Sequence, residues 1–183
     1  MIVAIKSCEA HRDRAEVQRE TWATSHTVWF TGPMLGVPDD YHSLPAKTQA
    51  ICRALQGVDY ALIADTDTYV ALDRLLAYKP QGHYTGHTND KVMQYASGGV
   101  GYLLSGHAMA LLSTAPLPTS HDYEDMWVGE ILAYHGIKVT DDPRFLTYTP
   151  CLPTNGVIAQ HITGNEPYRP ELMVSAHRRY HDR

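Results

Sequence analysis

Two aspartates separated by one residue stand directly after an apolar run. The run is Tyr60-Ala61-Leu62-Ile63-Ala64, and Asp65-Thr66-Asp67-Thr68-Tyr69-Val70 follows it. Residues two apart in an extended segment point the same way, so Asp65 and Asp67 face one site. Two carboxylates held close together repel, and a divalent cation relieves that repulsion. Hard oxygen donors suit Mn²⁺ or Mg²⁺, ions that also grip a diphosphate. The place is also right, because open α/β sheets bind ligands beyond the carboxyl ends of their strands. A competing reading has both aspartates capping a helix that begins near Val70, where Asp and Thr are favoured. Composition alone leaves both readings open.

A second acidic group, His121-Asp122-Tyr123-Glu124-Asp125-Met126-Trp127-Val128-Gly129, opens a helix-like stretch. One of its carboxylates is suited to take a proton from a hydroxyl as a general base. A structural role explains the same residues: Asp122 as N-cap, with Asp125 three residues on, resembles a capping box. The helix dipole also welcomes negative charge there, which keeps a carboxylate ionised and weakens it as a base. His161 follows the apolar Val157-Ile158-Ala159. It becomes a third metal ligand if the fold returns it to Asp67, and is otherwise an ordinary surface or core histidine.

These groups need a scaffold, and the rest of the chain reads as alternating strands and helices. Strands are expected over 2–6, 27–31, 60–64, 82–87, 138–140 and 157–162. Helices are expected over 12–23, 45–55, 70–78, 106–113 and 124–135, the last stopped by Gly136. The glycine-rich Ser97-Gly98-Gly99-Val100-Gly101 reads as a flexible segment for close approach. The tail from Glu171 is polar and basic and reads as partly frayed. Neither GxGxxG nor a Walker motif is present, so no glycine-rich loop at a helix start holds phosphates. The alternation predicts a three-layer α/β sandwich.

The bulk properties fit one such domain over residues 1–183: the chain is 44% hydrophobic and 19% charged. A net charge of −5 argues against broad nucleic-acid binding, which needs a basic face. The three cysteines, Cys8, Cys52 and Cys151, are odd in number and far apart. They predict neither a disulfide framework nor a cysteine zinc site, and so a reducing compartment. No apolar run is long enough to cross a bilayer, and the strand-like run after Met1 does not read as a signal peptide.

Taken in order, these blocks resemble glycosyltransferase family 31, the group with Fringe and the β-1,3-galactosyl- and N-acetylglucosaminyltransferases. Ile2 to Ser7, with His11, Arg14 and Arg19-Glu20-Thr21-Trp22, is similar to the family's opening strand with H-x-x-R and T-W. Trp29-Phe30-Thr31-Gly32 resembles its second strand, and Leu44-Pro45-Ala46-Lys47-Thr48 its N-L-T-x-K-T helix start. Asp65 to Val70 resembles D-D-D-T-Y-V, with Thr66 in the middle position. Tyr95-Ala96-Ser97-Gly98-Gly99-Val100-Gly101-Tyr102-Leu103-Leu104-Ser105 resembles Y-x-S-G-G-x-G-Y-v-l-S. Glu124-Asp125-Met126-Trp127-Val128-Gly129 resembles E-D-V-x-x-G. The likeness runs over roughly residues 2 to 145, and the glycine block together with the acidic helix start is its specific part.

The resemblance implies a GT-A type fold with a mixed, mostly parallel sheet, a UDP-sugar donor, Mn²⁺ (or Mg²⁺) and inversion at the anomeric carbon. By position it implies Asp67 as direct metal ligand and Asp65 at the donor ribose or supporting the metal. His161 becomes the C-terminal metal histidine, and Asp125 the catalytic base with Glu124 beside it. Ser7, Arg14 and Lys47 fall at the donor nucleotide or its phosphates, and Gly98 and Gly99 admit the sugar close to backbone. The family's paired cysteines and membrane anchor are missing, and the chain is shorter than eukaryotic members. A bacterial or viral enzyme of the cytoplasm, with no membrane association, is therefore expected. The acceptor stays open: a glycan, protein, lipid or small molecule or, in a virus, a modified nucleobase. A non-catalytic nucleotide-sugar or glycan-binding module and a metal-dependent phosphohydrolase are the alternatives.

Overall fold

The structure is a computed structural model and describes residues 1–88, 95–119, 123–147, 156–163 and 167–181. In chain order its strands are Ile2–Lys6 (β1), Thr27–Phe30 (β2), Tyr60–Asp65 (β3), Thr68–Val70 (β4), Tyr84–Gly86 (β5), Tyr102–Ser105 (β6), Thr140–Asp141 (β7), Phe145–Leu146 (β8) and Ala159–His161 (β9). Its α-helices are Arg12–Thr21 (α1), Gly32–Leu35 (α2), Leu44–Ala54 (α3), Leu72–Ala77 (α4), Gly106–Thr114 (α5), Glu124–Tyr134 (α6) and Pro170–His181 (α7).

The apolar runs of β1 and β3 have no polar face to offer water, so they sit at the centre of a six-stranded sheet ordered β2-β1-β3-β6-β5-β7. β1 pairs in parallel with both β2 and β3, while β6 runs antiparallel to β3 and β5. β7 adds in parallel to β5. The sheet is therefore mixed and mostly parallel. Side chains alternate across it. Val3, Ile5, Leu62 and Ala64 join a core with Trp22 and with Met173 and Tyr180 of α7. Ala4, Ala61 and Ile63 join another with Ile51 of α3, Leu112 of α5 and Trp127 of α6. Helices thus cover both faces, giving the expected three layers.

A second sheet of three strands, ordered β4-β9-β8, was not foreseen. β9 lies within the strand expected over 157–162, but β4 and β8, of three and two residues, carry too little alternation to be read. β4 pairs antiparallel with β9, setting Thr68 against His161. That pairing explains why the helix expected over 70–78 begins only at Leu72. Its N-cap is Ala71, which makes no side-chain capping bond, so Asp65 and Asp67 do not cap it. The tail also differs from expectation. α7 packs against α1 and β4, with Met173, Ala176 and Tyr180 buried along one stripe. Among the described residues no helix is long and apolar enough to cross a membrane. Cys8 and Cys52 are free thiols, and Cys151 lies outside the described residues.

Candidate active site

The chain turns sharply at residues 66 and 67 between β3 and β4, which leaves Asp65 and Asp67 at the carboxyl end of the main sheet. The β4–β9 pairing then brings His161 to Asp67 from 94 positions away in the chain. The two side chains stand 3.4 Å apart, Nε2 to Oδ2. Thr163 donates its hydroxyl to the same Asp67 oxygen at 3.0 Å, and Ile162 N donates to the Asp67 carbonyl at 3.1 Å. The Arg14 guanidinium lies 3.9 Å away. Burial works against the charge on Asp67, but the His161 and Thr163 hydrogen bonds and Arg14 outweigh it, holding its pKa below the ordinary value. Asp65 moves the other way. Burial raises its pKa, and the Asp67 and Glu124 charges add to that against the opposing Lys6 ammonium. Two adjacent carboxylates thus have their affinities for protons pushed apart, an arrangement common where paired acids have different tasks.

Lys6, at the end of β1, stands 3.4 Å from Asp65 Oδ1 and 3.0 Å from Glu124 Oε2. It is buried, yet the charges of Asp65 and Glu124 outweigh the cost of burial and raise its pKa, so it stays an ammonium. Glu124 is spoken for: besides Lys6, the Thr48 hydroxyl donates to it at 2.5 Å and so does the Tyr102 hydroxyl. Its neighbour Asp125 faces elsewhere, because consecutive helical residues point about 100° apart. Asp125 is half-buried and accepts backbone N–H groups from Gly98 and Met126, each at 3.0 Å. Burial raises its pKa despite the Gly98 bond, so it is a stronger base than the helix start alone would make it. α6 begins with Tyr123 at its N-cap and no side-chain cap. The alternative cap, Asp122, lies outside the described residues.

Gly98 and Gly99 join these groups. A Cβ on Gly98 would stand 3.3 Å from the Asp125 Cβ and 3.3 Å from Glu124 Oε2. One on Gly99 would stand 3.0 Å from His161 Cε1 and Nδ1. The Thr68 hydroxyl fixes the step by donating to the Gly99 carbonyl at 3.0 Å. The two glycines therefore make room for protein side chains, on one side Asp125 and on the other His161.

A cleft of about 340 Å³ opens beside the acidic pair, with Ser7, His11, Arg14, Lys47, Asp65 and Asp67 in its walls. Lys47 donates to the Ser7 carbonyl at 2.8 Å and pairs with Asp39, which also accepts the Gly32 N–H at 2.9 Å. Lys47 thus braces the loop after β1. His11 contacts the Thr66 hydroxyl at 3.1 Å, and its pKa is lowered by burial and then by Arg14.

Sequence reasoning did not single out Lys6, Thr163 or Asp39 for the site. Lys6 had a signal, a cation ending an apolar strand beside the strand that ends in Asp65. Thr163 had a weaker one, its two-residue spacing from His161. Asp39 had none.

Among the described residues no group of three His, Cys, Asp or Glu side chains is arranged to hold a metal ion. Asp67 and His161 converge, while Asp65 is engaged by Lys6. The Asp67 carboxylate and the His161 imidazole, 3.4 Å apart, are the pair of side chains here that would suit a divalent cation such as Mn²⁺.

No family model and no curated protein matches the chain. Solved structures do. One is a glycosyltransferase involved in the glycosylation of the major capsid of PBCV-1, with TM-score 0.54 and 15% identity, covering 96% of this chain and 100% of that one. Another is the apo-form glycosyltransferase GlyE of Streptococcus pneumoniae TIGR4, with TM-score 0.54 and 11% identity. That match covers 96% of this chain and 59% of GlyE's. Likeness at such identities is a likeness of fold. The chain has the mixed α/β fold of these glycosyltransferases, of the GT-A type, and the family 31 resemblance rests on the sequence blocks alone.

Proposed function

We propose that this protein is a metal-dependent, inverting glycosyltransferase that moves a sugar from a UDP-sugar donor to an acceptor hydroxyl. One observation carries the reading: the Gly98–Gly99 step presses Asp125 on one side and His161, with its partner Asp67, on the other. The likeness in fold to glycosyltransferases supports the class, and the family 31 resemblance supports the UDP donor and the stereochemistry.

In this reading Asp67 and His161 hold Mn²⁺ or Mg²⁺, which when bound neutralises charge on the departing diphosphate. Arg14, beside Asp67, adds a second positive charge at that end of the cleft. Asp65 accepts a hydroxyl of the donor ribose. Lys47 keeps the Ser7 loop in place against the nucleotide. Glu124 holds Lys6 rather than meeting substrate, so it is a positioning residue. The acceptor oxygen attacks the anomeric carbon, its proton passes to the Asp125 carboxylate, and the bond to UDP breaks with its electron pair on the phosphate oxygen.

The test is UDP release from a set of UDP-sugars with Mn²⁺, against the same reaction in EDTA. Asp67→Ala is expected to lose metal-dependent UDP binding, and Asp125→Asn to bind UDP and fail to transfer. Full activity in Asp125→Asn removes it from the mechanism. Release of inorganic phosphate in place of UDP would assign the site to a phosphohydrolase instead.

A further inference from the structure

Two large aromatic side chains stand out of the surface next to Asp125. Tyr41 is 63% exposed and Tyr123 is 58% exposed. Their ring centroids are 6.5 Å apart and their planes meet at 81°. Tyr41 belongs to the cleft wall and opens the short turn Tyr41–Ser43, which Asp40 fixes by accepting the Ser43 N–H at 2.9 Å. Tyr123 is the N-cap of α6, two residues ahead of Asp125. Partial burial of its hydroxyl, and next the Asp125 charge, raise the Tyr41 pKa, so ring and carboxylate lie within electrostatic reach. The ring pair therefore bridges the cleft wall and the proposed base.

Both rings are more than half exposed, and neither supports the core: both are missing from the two buried clusters. Exposed aromatics gathered at the mouth of a cleft mark a ligand surface rather than a packing one. The chemistry of the surface narrows the ligand. Each tyrosine offers an apolar face with a polar hydroxyl at its edge. A pyranose ring is the complement, with C–H groups on its face and hydroxyls around its rim. The charges acting on the Tyr41 ring are mainly those of Asp125 and Asp65, with Lys6 opposing them, and this acidic edge favours a neutral ligand at the rings over an anionic one.

We propose that Tyr41 and Tyr123 form an acceptor subsite for a neutral saccharide, stacking its ring while one of its hydroxyls reaches Asp125. The proposal rests on the glycosyltransferase reading and names its acceptor class.

Saturation-transfer NMR tests it with a panel of methyl pyranosides of glucose, galactose, mannose, N-acetylglucosamine and rhamnose. The panel is run with and without UDP and Mn²⁺, and UDP affinity in Mn²⁺ is measured separately. At least one glycoside is expected to take saturation on the C–H protons of one face. Tyr41→Ala/Tyr123→Ala is expected to weaken that signal about tenfold. Tyr123→Ala alone should keep its affinity for UDP with Mn²⁺ within about twofold, because Tyr123, unlike Tyr41, is not in the wall of the donor cleft. Tyr41→Phe/Tyr123→Phe should keep the stacking. No saturation of any glycoside, or full saturation in the double alanine variant, overturns the subsite. Loss of UDP binding in that variant reassigns the rings to the donor base. Wild-type protein that saturates a glycoside on these tyrosines yet binds no UDP keeps the saccharide site and sinks the transferase reading.

Discussion

Asp125 and Glu124 are neighbours with opposite surroundings, and on the proposed reading the difference decides which of them acts as the base. Glu124 is enclosed by Lys6, Thr48 and Tyr102, whereas Asp125 keeps a half-exposed carboxylate anchored by two backbone N–H groups. Burial lifts its pKa, so the acid limb of kcat should lie above the ordinary aspartate value of about 3.9. Below that limb the carboxylate is protonated and cannot take the acceptor's proton, so the rate falls as pH falls and levels off above. Asp125→Asn should remove the limb along with about 10²–10⁴ of the rate, as read from a pH–rate series at saturating donor. Gly99 makes a second prediction at this scale. Its Cβ position is 3.0 Å from the His161 ring, so Gly99→Ala must displace the imidazole. Metal-dependent UDP affinity should drop about 10–100-fold, the usual effect of disturbing a ligand's support, while thermal stability changes little. Unchanged affinity would mean that His161 holds no cation.

Between elements, the decisive join is Lys6 and Glu124, which tie the end of β1 to the start of α6 through buried side chains 2% and 4% exposed. Lys6→Met takes the shared ammonium away from buried Glu124 and from Asp65, and should cost about 3–5 kcal/mol in urea unfolding. Lys6→Met/Glu124→Leu should recover only part of that loss, because it removes the Glu124 charge but leaves Asp65 without its cation and the Thr48 and Tyr102 hydroxyls without their acceptor. Long, strongly patterned elements such as β1, β3, α3 and α6 were legible in the sequence, since their apolar periods reflect how they are covered. Asp65, Asp67 and Asp125 were legible because they stand at the ends of those elements. Of the small sheet only β9 was, and the reason His161 meets Asp67 was not, since it is a pairing between two three-residue strands far apart in the chain. The roles of Gly98 and Gly99 depend on what lies across from them, which no local pattern records. α7 was misread because its net polarity hid a stripe of Met173, Ala176 and Tyr180.

Across the whole molecule, α7 backs the small sheet from behind. Tyr180 stacks on Tyr69 of β4 at 5.1 Å and donates its hydroxyl to Gln160 of β9 at 2.9 Å. Met173 is fully buried in the same core, so Met173→Ala should cost about 2–5 kcal/mol by thermal or urea unfolding. If that sheet loosens first, UDP binding with Mn²⁺ should weaken at temperatures where the main sheet, followed by far-ultraviolet circular dichroism, is still intact. Simultaneous loss of both signals would mean that the sheets melt as one unit. Asp65 at the end of β3 and Asp67 in the turn after it come early in the chain, whereas His161 arrives with β9. During synthesis a growing polypeptide therefore displays its carboxylates long before it has the imidazole, and on the proposed reading its grip on a nucleotide waits until β9 has docked.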